Sequence, residues 1–191
     1  MVLSGSITKL SEVPPADASK ITADTQLAAP EKGEVVAILS TTCGDIGMKF
    51  FPDAAPMAVN NFIGLAKAGK YDGTIFHRVI RDFMIQGGDY TKFNGTGGAS
   101  VYGQSFGYET SLCLSNIRGA VAMAHSAMPA SNGSQFYINQ RENTYLDGSY
   151  TVFGQVYDGM DVVDKIACSP TDPYDRPLEE IKLTSVRITA Y

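Results

Sequence analysis

The chain has no tryptophan, two histidines and three cysteines. Each shortage excludes something. Cys43, Cys113 and Cys168 are odd in number and widely spaced, so they do not read as a disulfide framework. A reducing, cytoplasmic setting fits that usage. His77 and His125 belong to no Cys/His cluster with metal spacing, and no metal or other cofactor is expected. No apolar run reaches the length a membrane-spanning helix needs, so no membrane partner is expected. The opening Met-Val-Leu-Ser-Gly-Ser lacks the basic-then-apolar pattern of a secretory signal. Fifteen basic residues against twenty acidic ones leave a net charge of −5, which excludes the basic surface a nucleic-acid backbone requires. No nucleophile–base–orienter trio is evident. Asn94-Gly95-Thr96-Gly97-Gly98 is glycine-rich, but no Gly-Lys-Ser/Thr follows it, so it is not a phosphate loop. Asn94-Gly95-Thr96 and Asn132-Gly133-Ser134 fit the glycosylation sequon, which matters only in a secreted chain.

What is present is ordinary globular material. The 191 residues are 44% hydrophobic and 18% charged, enough for one domain with a sizeable core. Residues 1–32 hold scattered Ser, Thr, Ala and Pro without periodicity and read as a flexible or loosely docked arm, with room for a short helix from Pro15 to Lys20. Residues 33–191 form the domain. Val35, Val36, Ile38 and Leu39 make a strand run, and a turn at Cys43-Gly44-Asp45 leads to a second over Ile46–Phe51. Pro56 opens a helix with Val59, Phe62, Ile63 and Ala66 at helical spacing and Gly69 at its end. Phe76–Ile80, Met84–Gln86, Gly119–Ala124, Gln135–Asn139, Thr151–Val156 and Lys182–Ala190 read as further strands. Residues 87–110 and Ser169–Pro177 read as loops. Met160, Val163 and Ile166 mark a second helix, with Asp158 near its start. Many short strands, few helices and abundant glycine suggest a closed barrel or a sandwich.

The segment Phe76-His77-Arg78-Val79-Ile80 followed by Phe83-Met84-Ile85-Gln86-Gly87-Gly88-Asp89 is the most informative. A turn near Asp82 sets Arg78 opposite Gln86 on neighbouring strands, two polar side chains on an otherwise apolar sheet face. Read from the residues alone, Arg78 is a strand arginine paired with Asp82 or Asp89. The segment resembles the central signature of the cyclophilins, the prolyl cis/trans isomerases. Asn94-Gly95-Thr96-Gly97-Gly98, Asn132-Gly133-Ser134-Gln135-Phe136, and Leu146-Asp147-Gly148 with Val152-Phe153-Gly154 extend the match in order, over about residues 34–190. The resemblance implies a mainly β fold: a closed eight-stranded antiparallel barrel capped by two α-helices.

It also implies roles. Arg78 takes the place of the family arginine that donates to the substrate's proline, and Phe83 and Gln86 accompany it as catalytic candidates. Phe83, Met84, Phe136 and Leu146 match the apolar proline pocket. Gln86 and the main chain around Ala124, His125 and Ser126 match the groups that hold the rotating carbonyl and the flanking peptide. Gln135 with Gly95, Thr96 and Gly97 matches the neighbouring pocket. His77 reads as a packed strand residue.

Five departures stand out. Tyr145 replaces the tryptophan that contributes a hydrogen bond to cyclosporin, which implies weakened drug binding. Tyr150 stands where many relatives have histidine. His125 replaces a common asparagine, at a position the family uses through its main chain. Arg81-Asp82 replaces a common Pro-Gly turn, and Met128-Pro129-Ala130 slightly lengthens the loop before Asn132.

The leading expectation is therefore a peptidyl-prolyl isomerase acting on proline-containing peptides and on unfolded or folding proteins. A proline-peptide binding module with little turnover is the alternative, and a chaperone working through residues 1–32 a third.

Overall fold

The two-residue link Thr42-Cys43 joins β1 (Val35–Thr41) to β2 (Gly44–Phe50), with Thr41 paired to Gly44. The tight turn is held by Thr41, whose Oγ1 donates to Gly44 O at 2.7 Å and accepts from Cys43 N at 3.0 Å. The computed structural model describes residues 7–17, 19, 21–110, 113–128 and 130–191.

From this hairpin the sheet grows in both directions. The remaining strands are β3 (Thr74–Ile75), β4 (Arg78–Ile80), β5 (Met84–Gly87), β6 (Ala120–Met123), β7 (Phe136–Asn139), β8 (Val152–Asp158) and β9 (Lys182–Ala190). Their order is β3-β9-β1-β2-β8-β6-β7-β5-β4, every pair antiparallel. The two outermost strands are separated in sequence only by Phe76-His77, so the sheet must curl back towards itself. The expected closed barrel of eight strands is thus a curled sheet of nine, and among the described residues no ladder joins β3 to β4. Of the strand expected over Phe76–Ile80, Arg78–Ile80 forms β4 and Phe76-His77 is the link before it.

Among the described residues three α-helices accompany the sheet, where two were expected to cap it. Helix α1 (Ala23–Leu27) lies in the N-terminal segment, α2 (Pro56–Lys67) carries Pro56 in its first turn, and α3 (Met160–Ala167) follows Gly159. Gly159 has φ 85°, and a Cβ there would sit 2.4 Å from Asp45 O, so the entry to α3 demands glycine. Gly69 (φ 66°) ends α2, with Lys70 N returning to Leu65 O at 3.0 Å. The core centres on Phe62 of α2, whose ring touches Phe50, Tyr71, Phe136 and Phe153 at centroid distances of 4.9–5.8 Å.

The N-terminal segment contacts the sheet through specific polar bonds. Thr22 caps α1 by accepting from Thr25 N. Gln26, buried in the α1 interface, donates to Ser115 O and to Gln155 Oε1. Lys49 of β2 is 4% exposed, and its ammonium donates to Thr25 O and Ala28 O at 2.6 Å each. A cation thus sits on the helix's last carbonyls, where the dipole favours it. The short helix expected over Pro15–Lys20 falls partly outside the described residues, at Ala18 and Lys20.

The N-terminus of α2 is closed by a carboxylate rather than by its own cap residue. Glu109 accepts from Met57 N and Ala58 N, each at 2.9 Å. Burial raises its pKa to about 7, and the two backbone N–H groups only partly offset that. The folded state therefore holds a proton on Glu109 that the unfolded chain releases from about pH 4.5 upward. Its contribution is fully present below that pH and is lost as pH rises to about 7, by up to about 1.4 kcal/mol per unit. His77 works in the opposite sense, because burial lowers its pKa. The decisive quantity is then the stability difference between wild type and Glu109→Gln, from urea unfolding at pH 5 and pH 7.5. It should shrink by about 2 kcal/mol or more between the two. A difference that does not change with pH refutes the account.

Candidate active site

Strand alternation decides what the hairpin β4–β5 offers to solvent. The register pairs Arg78 with Gln86, Val79 with Ile85 and Ile80 with Met84. Val79 and Ile85 point into the core, so Arg78, Met84 and Gln86 share the opposite face. Asp82 turns the chain between the strands at φ 62°, and its N–H donates to Gln140 Oε1 at 2.6 Å. On that outer face lie two adjoining depressions. The smaller, about 100 Å³, brings Arg78, Phe83, Met84, Leu146 and Tyr150 around Tyr137. The larger, about 330 Å³, is walled by Gly95–Gly98, Ser126, Ser131 and Gly133–Gln135. Gln86, Ala124 and His125 line both and form the ridge between them.

The guanidinium of Arg78 is half-exposed. Its Nε lies 3.7 Å from Asp175 Oδ2, with both side chains 44% exposed, a contact of little stabilising value. Neither acid expected as its partner plays that part. Asp82 pairs with Arg141 at 2.7 Å, and Asp89 is committed to the glycine loop. Arg78 thus presents its half-exposed guanidinium beside apolar walls.

Gln86 is held in place by a relay. Its Nε2 donates to Gln135 Oε1 at 3.0 Å, and Gln135 Nε2 donates to Gly95 O and Gly97 O at 2.8 Å each. Asp89 holds the same loop from behind. Its Oδ1 accepts from Thr91 N and Lys92 N, and its Oδ2 from Asn94 N, Gly95 N and Gly97 N, at 2.9–3.2 Å. Burial alone would raise the Asp89 pKa, but the backbone donors outweigh it and lower it to about 2. His77 packs beneath this loop: a Cβ on Gly95 (φ 88°) would sit 2.7 Å from its Nε2.

Residues 36–188 match the family model described as cyclophilin type peptidyl-prolyl cis-trans isomerase/CLD. The chain belongs to this enzyme family. It is 47% identical over 153 residues to Peptidyl-prolyl cis-trans isomerase CYP18-1 of Arabidopsis thaliana, covering 80% of this chain and 94% of that one. It is 48% identical over 153 residues to Peptidyl-prolyl cis-trans isomerase 9 of Schizosaccharomyces pombe, covering 80% of this chain but 25% of that protein. Among solved structures, a Cryptosporidium parvum cyclophilin type peptidyl-prolyl cis-trans isomerase superposes with a TM-score of 0.78 at 35% identity, covering 82% of this chain and 98% of its own. A second crystal structure of that protein, in the presence of the dipeptide Ala-Pro, matches with the same TM-score and identity.

Within this cyclophilin, most sequence-expected positions do converge on the two depressions. Phe136 does not. Its ring is fully buried against Phe62 and Tyr71 on the core face of β7. The next residue, Tyr137, pairs with Gln86 and takes the place on the pocket floor. A strand's side chains alternate, so an assignment one residue off selects the wrong face. Tyr137 OH donates to Asn116 Oδ1 at 2.8 Å, which satisfies a hydroxyl that burial makes very reluctant to ionise. Tyr145 also stands apart from the depression. It is 72% exposed, and its ring lies parallel to that of Phe83 with centroids 6.4 Å apart. The neighbouring Asp147 fixes this turn through Asn116 N at 2.7 Å and Ser115 Oγ. Of the lengthened Met128-Pro129-Ala130 loop, Pro129 lies outside the described residues.

Proposed function

We propose that this chain catalyses rotation about X–Pro peptide bonds, with Arg78 as the group that lowers the barrier. The observation that carries this is the placement of a half-exposed arginine, paired across the hairpin with a fixed glutamine, on the rim of an apolar depression. A peptide bond resists rotation by about 18–20 kcal/mol because the nitrogen lone pair is delocalised into the carbonyl. Uncatalysed prolyl exchange takes roughly 10–100 s. A donor aimed at the prolyl nitrogen localises that lone pair. The contact is strong in the twisted state and weak in the planar ones, the difference that catalysis requires. Arginine suits the task because it stays charged and transfers no proton.

The proline ring occupies the smaller depression, on Met84, Tyr137 and Leu146, with Phe83 at its edge. Gln86 and the Ala124–Ser126 main chain hold the carbonyl that turns. The residues ahead of the proline extend over Gly95–Gly97 and Gln135. A structural relative was solved in the presence of the dipeptide Ala-Pro, which supports a proline-containing peptide as the ligand. Clients are proline-containing peptides and folding proteins. Residues 1–32 form an arm attached to a catalytic domain over 33–191.

NMR exchange spectroscopy on an Ala-Pro peptide tests the reading. Catalytic amounts of the protein should bring cis and trans signals into exchange within a mixing time in which the free peptide shows none. Binding without exchange would make the groove a proline-peptide recognition site instead.

A further inference from the structure

Asn116 lines neither depression, yet it holds the smaller one from behind on two sides. It is fully buried in the stretch that leads into β6. Its main chain brackets the 3₁₀ turn Thr144–Leu146, which carries Leu146 into the wall of that depression. Asn116 O accepts from Asn143 N at 2.7 Å just before the turn, and Asn116 N donates to Asp147 Oδ1 at 2.7 Å just after it. Its side chain adds a different connection. Asp147 Oδ1 already acts as an acceptor for that backbone N–H, so the amide turns its Nδ2 to it, at 3.0 Å. The amide oxygen is thereby directed to the pocket floor. There it accepts from Tyr137 OH at 2.8 Å and from Asn139 Nδ2 at 3.2 Å. One amide thus joins the floor, through Tyr137, to the wall, through the turn that ends in Leu146. The edge follows at one remove: Asn143 Nδ2 donates to Asn139 Oδ1 at 2.7 Å and to Phe83 O at 3.0 Å. Tyr137 is 4% exposed, so its hydroxyl cannot exchange this partner for bulk water unless the ring moves.

We propose that Asn116 is a positioning residue that sets the width of the smaller depression, and with it the preference for a five-membered ring. Floor and wall come from separate stretches of chain, β7 and the loop before β8, and the amide fixes one against the other. A pipecolic acid residue carries one ring methylene more than proline. Walls tied to one amide do not part to admit it, and a single methylene in an apolar pocket discriminates by about 10–200-fold. With the tie cut, Tyr137 shifts against Leu146 and the larger ring enters. The inference rests on the reading that the smaller depression takes the proline ring, but not on Arg78's chemistry.

The test is NMR titration of two peptides that differ only in carrying proline or pipecolic acid after alanine, on wild type, Asn116→Ala and Tyr137→Phe. Asn116→Ala keeps both backbone bonds to the turn and cuts the tie to the floor. Tyr137→Phe cuts the same tie from the other end with the amide in place, and it carries the test if the first variant does not fold. Wild type should favour the proline peptide by about tenfold or more, and either variant should bring the two dissociation constants within about threefold of each other. A brace with no say in ring size would weaken both peptides equally and leave their ratio unchanged, which overturns the inference. Equal affinities in wild type overturn it too. Exchange rates on the same samples keep the two readings apart. A ratio present in wild type and lost in the variants, without exchange, overturns the isomerase and supports this inference. Exchange with a ratio that no variant alters overturns this inference alone. Shifts at neither Met84 nor Leu146 with either peptide overturn both.

Discussion

Replacing Arg78 with alanine should lower kcat/KM for a short Ala-Pro peptide by about 10²–10³-fold while leaving the melting temperature nearly unchanged. The first figure follows from one preorganised donor stabilising a transition state by about 3–4 kcal/mol, at about 1.4 kcal/mol per tenfold. The second follows from the surroundings. The side chain is 44% exposed, and its ion pair with Asp175 spans 3.7 Å in solvent, worth at most about 1 kcal/mol. Arg78→Lys separates charge from geometry. It keeps the cation but loses the planar fork of donors, so most of the loss should remain. The loss should fall on kcat more than on KM, because the apolar walls that bind the ring are untouched. A melting temperature that collapses in Arg78→Ala would show a structural brace in place of a catalytic donor. Unchanged kcat/KM would remove Arg78 from the mechanism.

The parts of this site that depend on local pattern were legible in the sequence. The Arg78–Gln86 register follows from a short turn between two apolar runs, and α2 from Pro56, the apolar spacing and Gly69. What was not legible depends on long-range placement. Asp175 meets Arg78 only because its carbonyl accepts from Val79 N at 2.8 Å, across nearly a hundred residues of chain. Its left-handed backbone, φ 64°, gave no advance sign in a non-glycine residue. The exchange of Phe136 for Tyr137 was hidden for a different reason. Two adjacent aromatics both suit an apolar strand, and only the pairing of β7 with β5 and β6 says which faces the core. The same ambiguity conceals the second role of the N-terminal segment. Nothing in Lys49's local sequence announces that it is buried beneath the end of α1, since an alternating strand ordinarily turns its lysines to water.

Asp89→Ala should damage both stability and peptide binding, and by more than its single charge suggests. The carboxylate is 1% exposed and accepts from five backbone N–H groups between Thr91 and Gly97. Alanine leaves all five without their acceptor. A buried donor deprived of its partner costs about 1–3 kcal/mol, but the loop can reopen to water and recover part of that. A net loss of about 3 kcal/mol, a fall of about 6–12 °C in melting temperature for a chain of this size, is the expected result. The reopened loop no longer presents Gly95 O and Gly97 O to Gln135, which in turn frees Gln86. KM should therefore rise while Arg78 stays in place. Asp89→Asn should do nearly as much harm, because its amide turns donors towards donors on one side of the group. Acid should reproduce the effect in the wild type. The folded-state pKa is about 2 against an ordinary 3.8, so this contribution is complete above about pH 3.8 and is lost as pH falls through 2. Calorimetry from pH 2 to pH 5 on wild type and Asp89→Asn decides the matter. The gap between them should close as pH falls, and a gap of constant width would mean that the carboxylate's charge does not organise the loop.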